Sequence, residues 1–528
     1  MNLTFSITVS GTDGPYSLRG RHTLTQGENR IVPELPAGTL QSVTAELPLI
    51  VSQDEKIFMN GYQTWTYCPE YRADSRIRGL HGLPKAIIRR YSLDRYGDYN
   101  FTDYPNRRGV THGVSYCYFR LGAHYRLLAS LDETAGYTQL RYDANLGVLT
   151  ITRDCAGLRC GGAFHAFDLF YAEGSEDEVF DAWFRAMKLQ PRTWKKLAGY
   201  SSWYNRYEKI DQAAILSDLS GCRTLLQAGD LFQIDDGWEQ AVGDWEPDGR
   251  KFPDGMKALA DQAHEAGFLA GLWLAPFGCQ ESSRIFREHP DWMVQKDGQP
   301  YRSGCNWGGF YSLDIDNPEA VRYLEAVFDR VLNEWGFDLV KLDFLYGAAP
   351  FGSESESRAA RMRRAMELLR RLCGEKLILG CGVPLMPSFG LVDYCRIGCD
   401  VSLDWDDKFY MRWIHRERVS TRQAIGNTIF RRQLNGRAFG SDPDVFFLRT
   451  ENCKLTQEQK TVLGTVNALF SGILLTSDDP AAYTPAQREQ YQALMRLRNA
   501  GNIRVESGGG LRVHYALDGQ DHTVMIPE

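Results

Sequence analysis

Apolar and polar residues alternate with a period of two along the first third of the chain, in runs such as "FSITVS", "SVTAELPLIV", "YCYFRLGAHYRLLASL" and "GVLTITRD". Gly, Asp, Asn and Pro interrupt them, and the pattern predicts an all-β domain of sandwich type over residues 1–189. Its last part, "SEDEVFDAWFRAMKL", changes to a helical period and predicts one amphipathic helix, followed by a connector "QPRTWKK".

Beyond Ala198 the pattern becomes short apolar strands separated by helical stretches, which is how a parallel sheet with crossover helices reads. The strands are expected in "GYSSWYN", "LFQIDDG", "FLAGLWLAP", "DLVKLDFL", "KLILGCG", "YCRIGCDVS", "GRAFGSD" and "GILLTSD". Helices are expected in "DGMKALADQAHEAG" and "NPEAVRYLEAVFDRVLNEWG". That count over residues 190–482 predicts a (β/α)8 TIM barrel, and residues 483–528 predict a helix and a short C-terminal antiparallel β domain.

Composition narrows the partners. A net charge of −7 and mean hydropathy of −0.38 give no electrostatic reason for nucleic acid or an anionic membrane. The one dense basic run, Arg358 to Leu372, reads as the polar face of a helix. The N-terminus lacks a basic segment followed by an apolar one, and no apolar stretch approaches the roughly 20 residues that span a bilayer, so a soluble cytoplasmic protein is expected. Twelve cysteines without CxxC pairs fit free thiols and no structural metal. No HExxH, phosphate-binding glycine loop or GxSxG elbow occurs.

Polar residues gather where the predicted strands end. Asp235, Asp236 and Trp238 end the second, Trp273 the third, Lys341 and Asp343 the fourth and Cys381 the fifth. Arg396 and Asp400 belong to the sixth, and a sequence that places them at a barrel's C-terminal rim places them at its active site. Asp442 and Asp444 in "SDPD", and Asp478 and Asp479 in "TSDDP", read more simply as caps. Strand alternation sets Val340, Leu342 and Phe344 on one face and Lys341 with Asp343 on the other, where the ammonium would keep Asp343 anionic or form a structural ion pair. In "RIGCD" alternation groups Arg396, Gly398 and Asp400, and the glycine is expected to leave room for a ligand. Two acids across a barrel mouth, one ionised and one protonated, suit glycosidic cleavage.

These motifs, "NGYQTW", "QIDDGW", "GLWLAPF", "VKLDFLYG", "RIGCDV" and "SDPDVFFLR" in this order, resemble the α-galactosidases of glycoside hydrolase family 36 in their bacterial form. The resemblance implies an N-terminal β-supersandwich and a retaining exo-α-galactosidase acting on small α-galactosides without a cofactor. It makes Asp343 the nucleophile and Asp400 the acid/base. It also implies sugar contacts from Asp235, Asp236, Lys341 and Arg396, a pocket lined by Trp203, Tyr204, Trp273 and Trp65, and Cys381 facing the 2-hydroxyl. Packing roles for Trp203, Tyr204 and Cys381 stay open, as do an α-N-acetylgalactosaminidase, another related α-glycosidase and a galactoside-binding protein without turnover. Tyr62 and Thr64 in "NGYQTW", and Cys399 in "RIGCD", depart from the family's usual residues and bear on the outer pocket.

Overall fold

The computed structural model describes residues 1–11, 14–80, 83–95, 97–100, 102, 104–192, 195–406 and 416–527. Two antiparallel sheets form the N-terminal part. One runs in the order Gly14–Thr23, Asn2–Gly11, Glu34–Pro48, Val148–Arg153, Thr138–Asp143, Val110–Val114, with Arg159–Ala163 also paired to Glu34–Pro48. The other runs Gly27–Ile31, Phe167–Gly174, His124–Ser130, Tyr116–Leu121, Lys56–Met59, Glu70–Tyr71.

The "YCYF" run lacks polar alternation because both of its faces are covered. Cys117 and Phe119 point into the core between the two antiparallel sheets with Ile57, Leu128 and Leu169, whereas Tyr116 and Tyr118 join the cluster that continues into the parallel sheet. The helix Glu176–Ala186 sits on that second face. A reciprocal capping box between Ser175 and Glu178 starts it, and it buries Val179, Phe180, Trp183 and Phe184.

Each of the eight strand stretches expected after residue 198 contains a parallel strand. With the short Val445–Phe446 added as a ninth, the sheet runs in the order Gly440–Asp442, Tyr394–Arg396, Leu377–Gly380, Leu339–Leu342, Leu269–Leu274, Leu231–Ile234, Leu197–Ser201, Ile473–Thr476, Val445–Phe446. The two end strands of this sheet are separated in sequence only by Pro443 and Asp444, so the sheet curls back on itself. The long helix expected after Asn317 spans Pro318–Asp329 and ends in a wider turn, Arg330–Glu334. Asn317 caps it by accepting from the amides of Glu319 and Ala320 at 2.9 and 3.3 Å. The basic run forms the helix Arg358–Cys373, which buries Met362, Met366 and Leu369, and its arginines pair with acids, from the buried Arg370 with Asp393 to the exposed Arg371 with Glu325.

At the C-terminus, helix Pro485–Leu497 leads to a three-stranded antiparallel sheet, Gly501–Ser507, Leu511–Leu517 and Gln520–Ile526. Val513 buries one face of this sheet in the main core, and Ser507 reaches the N-terminal part by donating to Glu70 at 2.7 Å. The connector at 190–196 has no regular structure where it is described; Thr193 and Trp194 within it, like Glu528 of the C-terminal stretch, lie outside the described residues. Among the described residues no helix is long and apolar enough to cross a membrane.

Candidate active site

A cavity of about 1030 Å³ opens at the C-terminal ends of the parallel strands. Asp235, Asp236, Trp273, Lys341, Asp343 and Asp400 line its inner part, and Trp203 and Trp65 also reach it. Register explains the convergence: Trp273 lies level with Lys341 on adjacent strands, and Arg396 level with Asp442. Tyr204, Arg396 and Cys381 do not line the cavity. They form the buried layer behind its wall.

Lys341 pairs with a different carboxylate from the one expected from strand alternation. Its Nζ donates to Asp235 Oδ2 at 2.9 Å, with both side chains buried. Burial is the strongest single influence and works to lower the Lys341 pKa, but the charges of Asp235 and, behind it, Asp343 together hold the ammonium above its ordinary value. Asp235 also accepts from Gln233 Nε2 at 2.8 Å and from the Asp236 amide at 3.0 Å. Asp343 is instead held by neutral donors, the Trp273 indole to Oδ2 at 3.2 Å and the Phe344 amide to Oδ1 at 2.8 Å.

The fourth strand ends at Leu342, and Phe344 adopts a left-handed φ of 54°. Alternation therefore stops one residue before Asp343, and Phe344 turns onto the cavity wall instead of the outer face of the parallel sheet. There it meets Trp65 edge to face, centroids 5.1 Å apart. Gly382 makes the approach possible. It has φ +55°, and a Cβ there would lie 2.9 Å from both the Trp65 ring and the Phe344 nitrogen.

The sixth strand likewise ends at Arg396, so Asp400 stands on a loop. Arg396 nevertheless joins three acids: Nε donates to Asp442 at 3.0 Å, Nη1 to Asp400 at 2.8 Å and Nη2 to Asp444 at 3.0 Å. Asp444 also accepts from the Tyr204 hydroxyl at 2.6 Å and the Val401 amide at 2.8 Å. Asp442 and Asp444 are thus partners of the arginine, and Asp442 also caps its own turn by accepting from the Asp444 amide at 2.9 Å. Asp478 accepts from the amides of Leu448 and Arg449, and Asp479 caps a turn through the Ala481 amide at 2.9 Å. Gly398 leaves no room for a ligand either, since a Cβ there would meet Asn427 and Ala424 at 3.3 and 3.4 Å, on the helix Thr421–Phe430.

Burial pushes the Asp400 carboxyl up to about 6, with Arg396 opposing and Asp444 adding to the rise. Its side chain keeps 40 % exposure, and that exposed surface faces the cavity. Burial and, behind it, the Asp343 charge push the Cys381 thiol well above its ordinary value, so it packs as a neutral thiol.

Three contributors gave no periodic signal. Trp307 lies in the Gly-rich insertion after the third strand with a left-handed φ of 53°, and its indole donates to Asp236 Oδ2 at 3.1 Å. Glu239, buried beside Asp236, accepts from the Gly237 amide at 3.3 Å, and burial followed by the Glu239 charge pushes the Asp236 carboxyl up to about 10. Glu417 lies on the cavity wall and holds the Trp65 loop: it accepts from Gln63 Nε2 at 2.9 Å, the Thr66 hydroxyl and the Asp98 amide. The sequence spacing of Asp236 and Glu239, three residues apart, is the one clue that was present.

Residues 202–369 match the family model described as Melibiase. The chain is 31% identical over 150 residues to the α-galactosidase of Escherichia coli, a match that covers 26% of this chain and 21% of that protein. It is 35% identical over 132 residues to the A type blood α-D-galactosamine galactosaminidase of Flavonifractor plautii, covering 23% and 12%. The matched region thus spans about a fifth or less of these curated relatives. The solved structure of TtGalA, the α-galactosidase from Thermus thermophilus, in complex with stachyose superposes with a TM-score of 0.72 at 31% identity and covers 89% of this chain and 96% of that one. The complex of the same protein with p-nitrophenyl α-D-galactopyranoside gives 0.75, 29%, 94% and 98%.

Proposed function

The chain belongs to the α-galactosidases of glycoside hydrolase family 36, and from that premise we infer that it is a retaining exo-α-galactosidase releasing terminal α-linked galactose from small oligosaccharides and other galactosides. The observation that carries the reading is the unequal pair of carboxyls in one cavity. Asp343 accepts from two neutral donors at the cavity wall, while burial pushes the Asp400 carboxyl up to about 6.

Asp343 attacks the anomeric carbon and forms a β-galactosyl ester as Asp400 passes its proton to the departing oxygen. Asp400, now ionised, draws the proton from an incoming water, which cleaves the ester and returns galactose in its original α configuration. Retention calls for a carboxyl separation of roughly 5 to 5.5 Å. Asp235 and Asp236 suit adjacent sugar hydroxyls in complementary ways. Asp235 is an acceptor locked by Lys341, and Asp236 is a carboxyl whose ordinary acidity burial and Glu239 reduce and which accepts from the Trp307 indole. The Trp273 and Trp307 rings, centroids 6.0 Å apart, offer an apolar wall. Arg396 acts from behind the wall by holding Asp400, Asp442 and Asp444.

The return of the curled sheet on itself supports reading it as a closed (β/α)8 barrel, with the supersandwich before it and the small sheet domain after it. The similarity to the Flavonifractor plautii galactosaminidase favours one second reading, a site that admits a 2-amino or 2-acetamido group. Proton NMR of aryl α-galactoside hydrolysis tests the proposal. Release of α-galactose first, with slower mutarotation to β, is the expected result. First appearance of the β anomer would refute retention, and faster turnover of the aryl α-N-acetylgalactosaminide would favour the second reading.

A further inference from the structure

The cavity of about 1030 Å³ lies at the upper end of the roughly 300 to 1,000 Å³ range of pockets for drug-sized ligands, well beyond what one hexose occupies. Its inner part holds the carboxylates. Its outer part is built chiefly by one segment of the N-terminal region, Leu83, Pro84, Ile87, Tyr91 and Leu93, facing Val419 of the barrel.

The short helix Lys85–Tyr91 in this segment buries none of its side chains. Leu83, Ile87 and Tyr91 are spaced four apart, which stacks them on one side of the turn, and all three line the cavity. Ile87 is 41 % exposed, Tyr91 47 % and Val419 38 %. Large apolar side chains held open along a cavity that continues to the reacting carboxylates gain most from a ligand that covers them. Among the described residues on that side, Glu417 takes three donors and Arg418 Nη2 donates to Asp406 at 2.7 Å, while Arg418 Nε and the exposed Glu208 carboxylate of the cavity wall stay open. A polyhydroxylated leaving group would find few hydrogen-bond partners there, and each hydroxyl buried without one carries a desolvation cost.

We propose that this outer lobe is an aglycone site for apolar groups, so that the preferred substrates are α-galactosides of hydrophobic alcohols, alkyl or aryl. The inference rests on the α-galactosidase reading and names its substrate class.

The test compares kcat/KM for methyl, n-butyl and n-octyl α-galactosides, whose leaving groups have nearly equal basicity, so that differences report aglycone binding. Benzyl α-galactoside and melibiose complete the set. The expected result is a rise of about two- to fourfold per methylene until the lobe is filled, with melibiose well below octyl. In Ile87→Ser/Tyr91→Ser the octyl-to-methyl ratio should fall towards one. Both positions are exposed, so the double variant keeps its core intact, and an unaltered thermal midpoint checks it. A gain for benzyl without a gain along the alkyl series supports an aromatic aglycone, and a gain along the series supports a lipid-like chain. Equal rates across the series with methyl galactoside still cleaved, or a ratio unmoved in the double variant, would overturn the aglycone site and leave the galactosidase intact. No turnover of any member overturns both.

Discussion

Replacing Asp400 by Asn removes one proton and little else, because the amide keeps the size of the side chain and its carbonyl can still accept from Arg396, now 2.8 Å from Asp400 Oδ1. The carboxyl's pKa of about 6 sets the magnitude. If the protonated form is the acid that frees the sugar, about ten elevenths of the wild-type enzyme is competent at pH 5 and about one eleventh at pH 7. The kcat/KM for methyl α-galactoside should therefore fall about tenfold between those values and by about a further tenfold to pH 8. Asp400→Asn should lose about 10²- to 10⁴-fold at pH 5 on this substrate, which is about 3 to 5.5 kcal/mol of barrier. On 2,4-dinitrophenyl α-galactoside, whose leaving group needs no proton, the first step should be nearly unaffected. Stopped-flow rates of phenol release and steady-state profiles from pH 4 to 9 measure both. The position of the limb discriminates among the buried acids, since Glu417 is raised to about 8 and Asp236 to about 10. A limb near 6 that survives in Asp400→Asn, or equal losses on the two substrates, would remove Asp400 from the role.

Asp343→Gly should abolish turnover of aryl galactosides, and azide should restore it with β-galactosyl azide as the product detected by NMR; azide giving no product would place the nucleophile elsewhere. Lys341→Met leaves Asp235 buried without its cation and should cost about 3 to 5 kcal/mol in denaturant unfolding. Adding Asp235→Asn should recover most of that stability and none of the activity, whereas recovery of both would mean that the pair is only structural. Glu417 is raised to about 8 by burial first and by Asp98 second, so its folded pKa exceeds its unfolded one and the native state holds the extra proton between about 4.5 and 8. Stability should consequently decline as pH rises through that window, and Glu417→Gln should flatten the decline in Tm; an unchanged slope would assign it to other groups.

Local pattern was enough to read out the strands and helices, because the period of burial is set by the neighbours a chain must pack against. All eight expected parallel-strand stretches, the capped helix after residue 174 and the terminal sheet were legible in this way. Alternation failed where strands stop. It placed Phe344 on the outside, paired Lys341 with Asp343 and gave Gly398 to the ligand, yet the strands end at Leu342 and Arg396, and past those points loop dihedrals decide where a side chain points.

The sequence by itself determined which residue types stand at the rim: acids, a lysine, an arginine and tryptophans at the ends of successive strands. Only the tertiary structure decided who partners whom. Lys341 and Asp235 are 106 residues apart, and Glu417 and Gln63 are 354 apart, so no local periodicity links them. Tertiary packing also decided which carboxyl keeps its proton, since desolvation and the balance of neighbouring charges depend on distances through space that the order of residues along the chain does not encode.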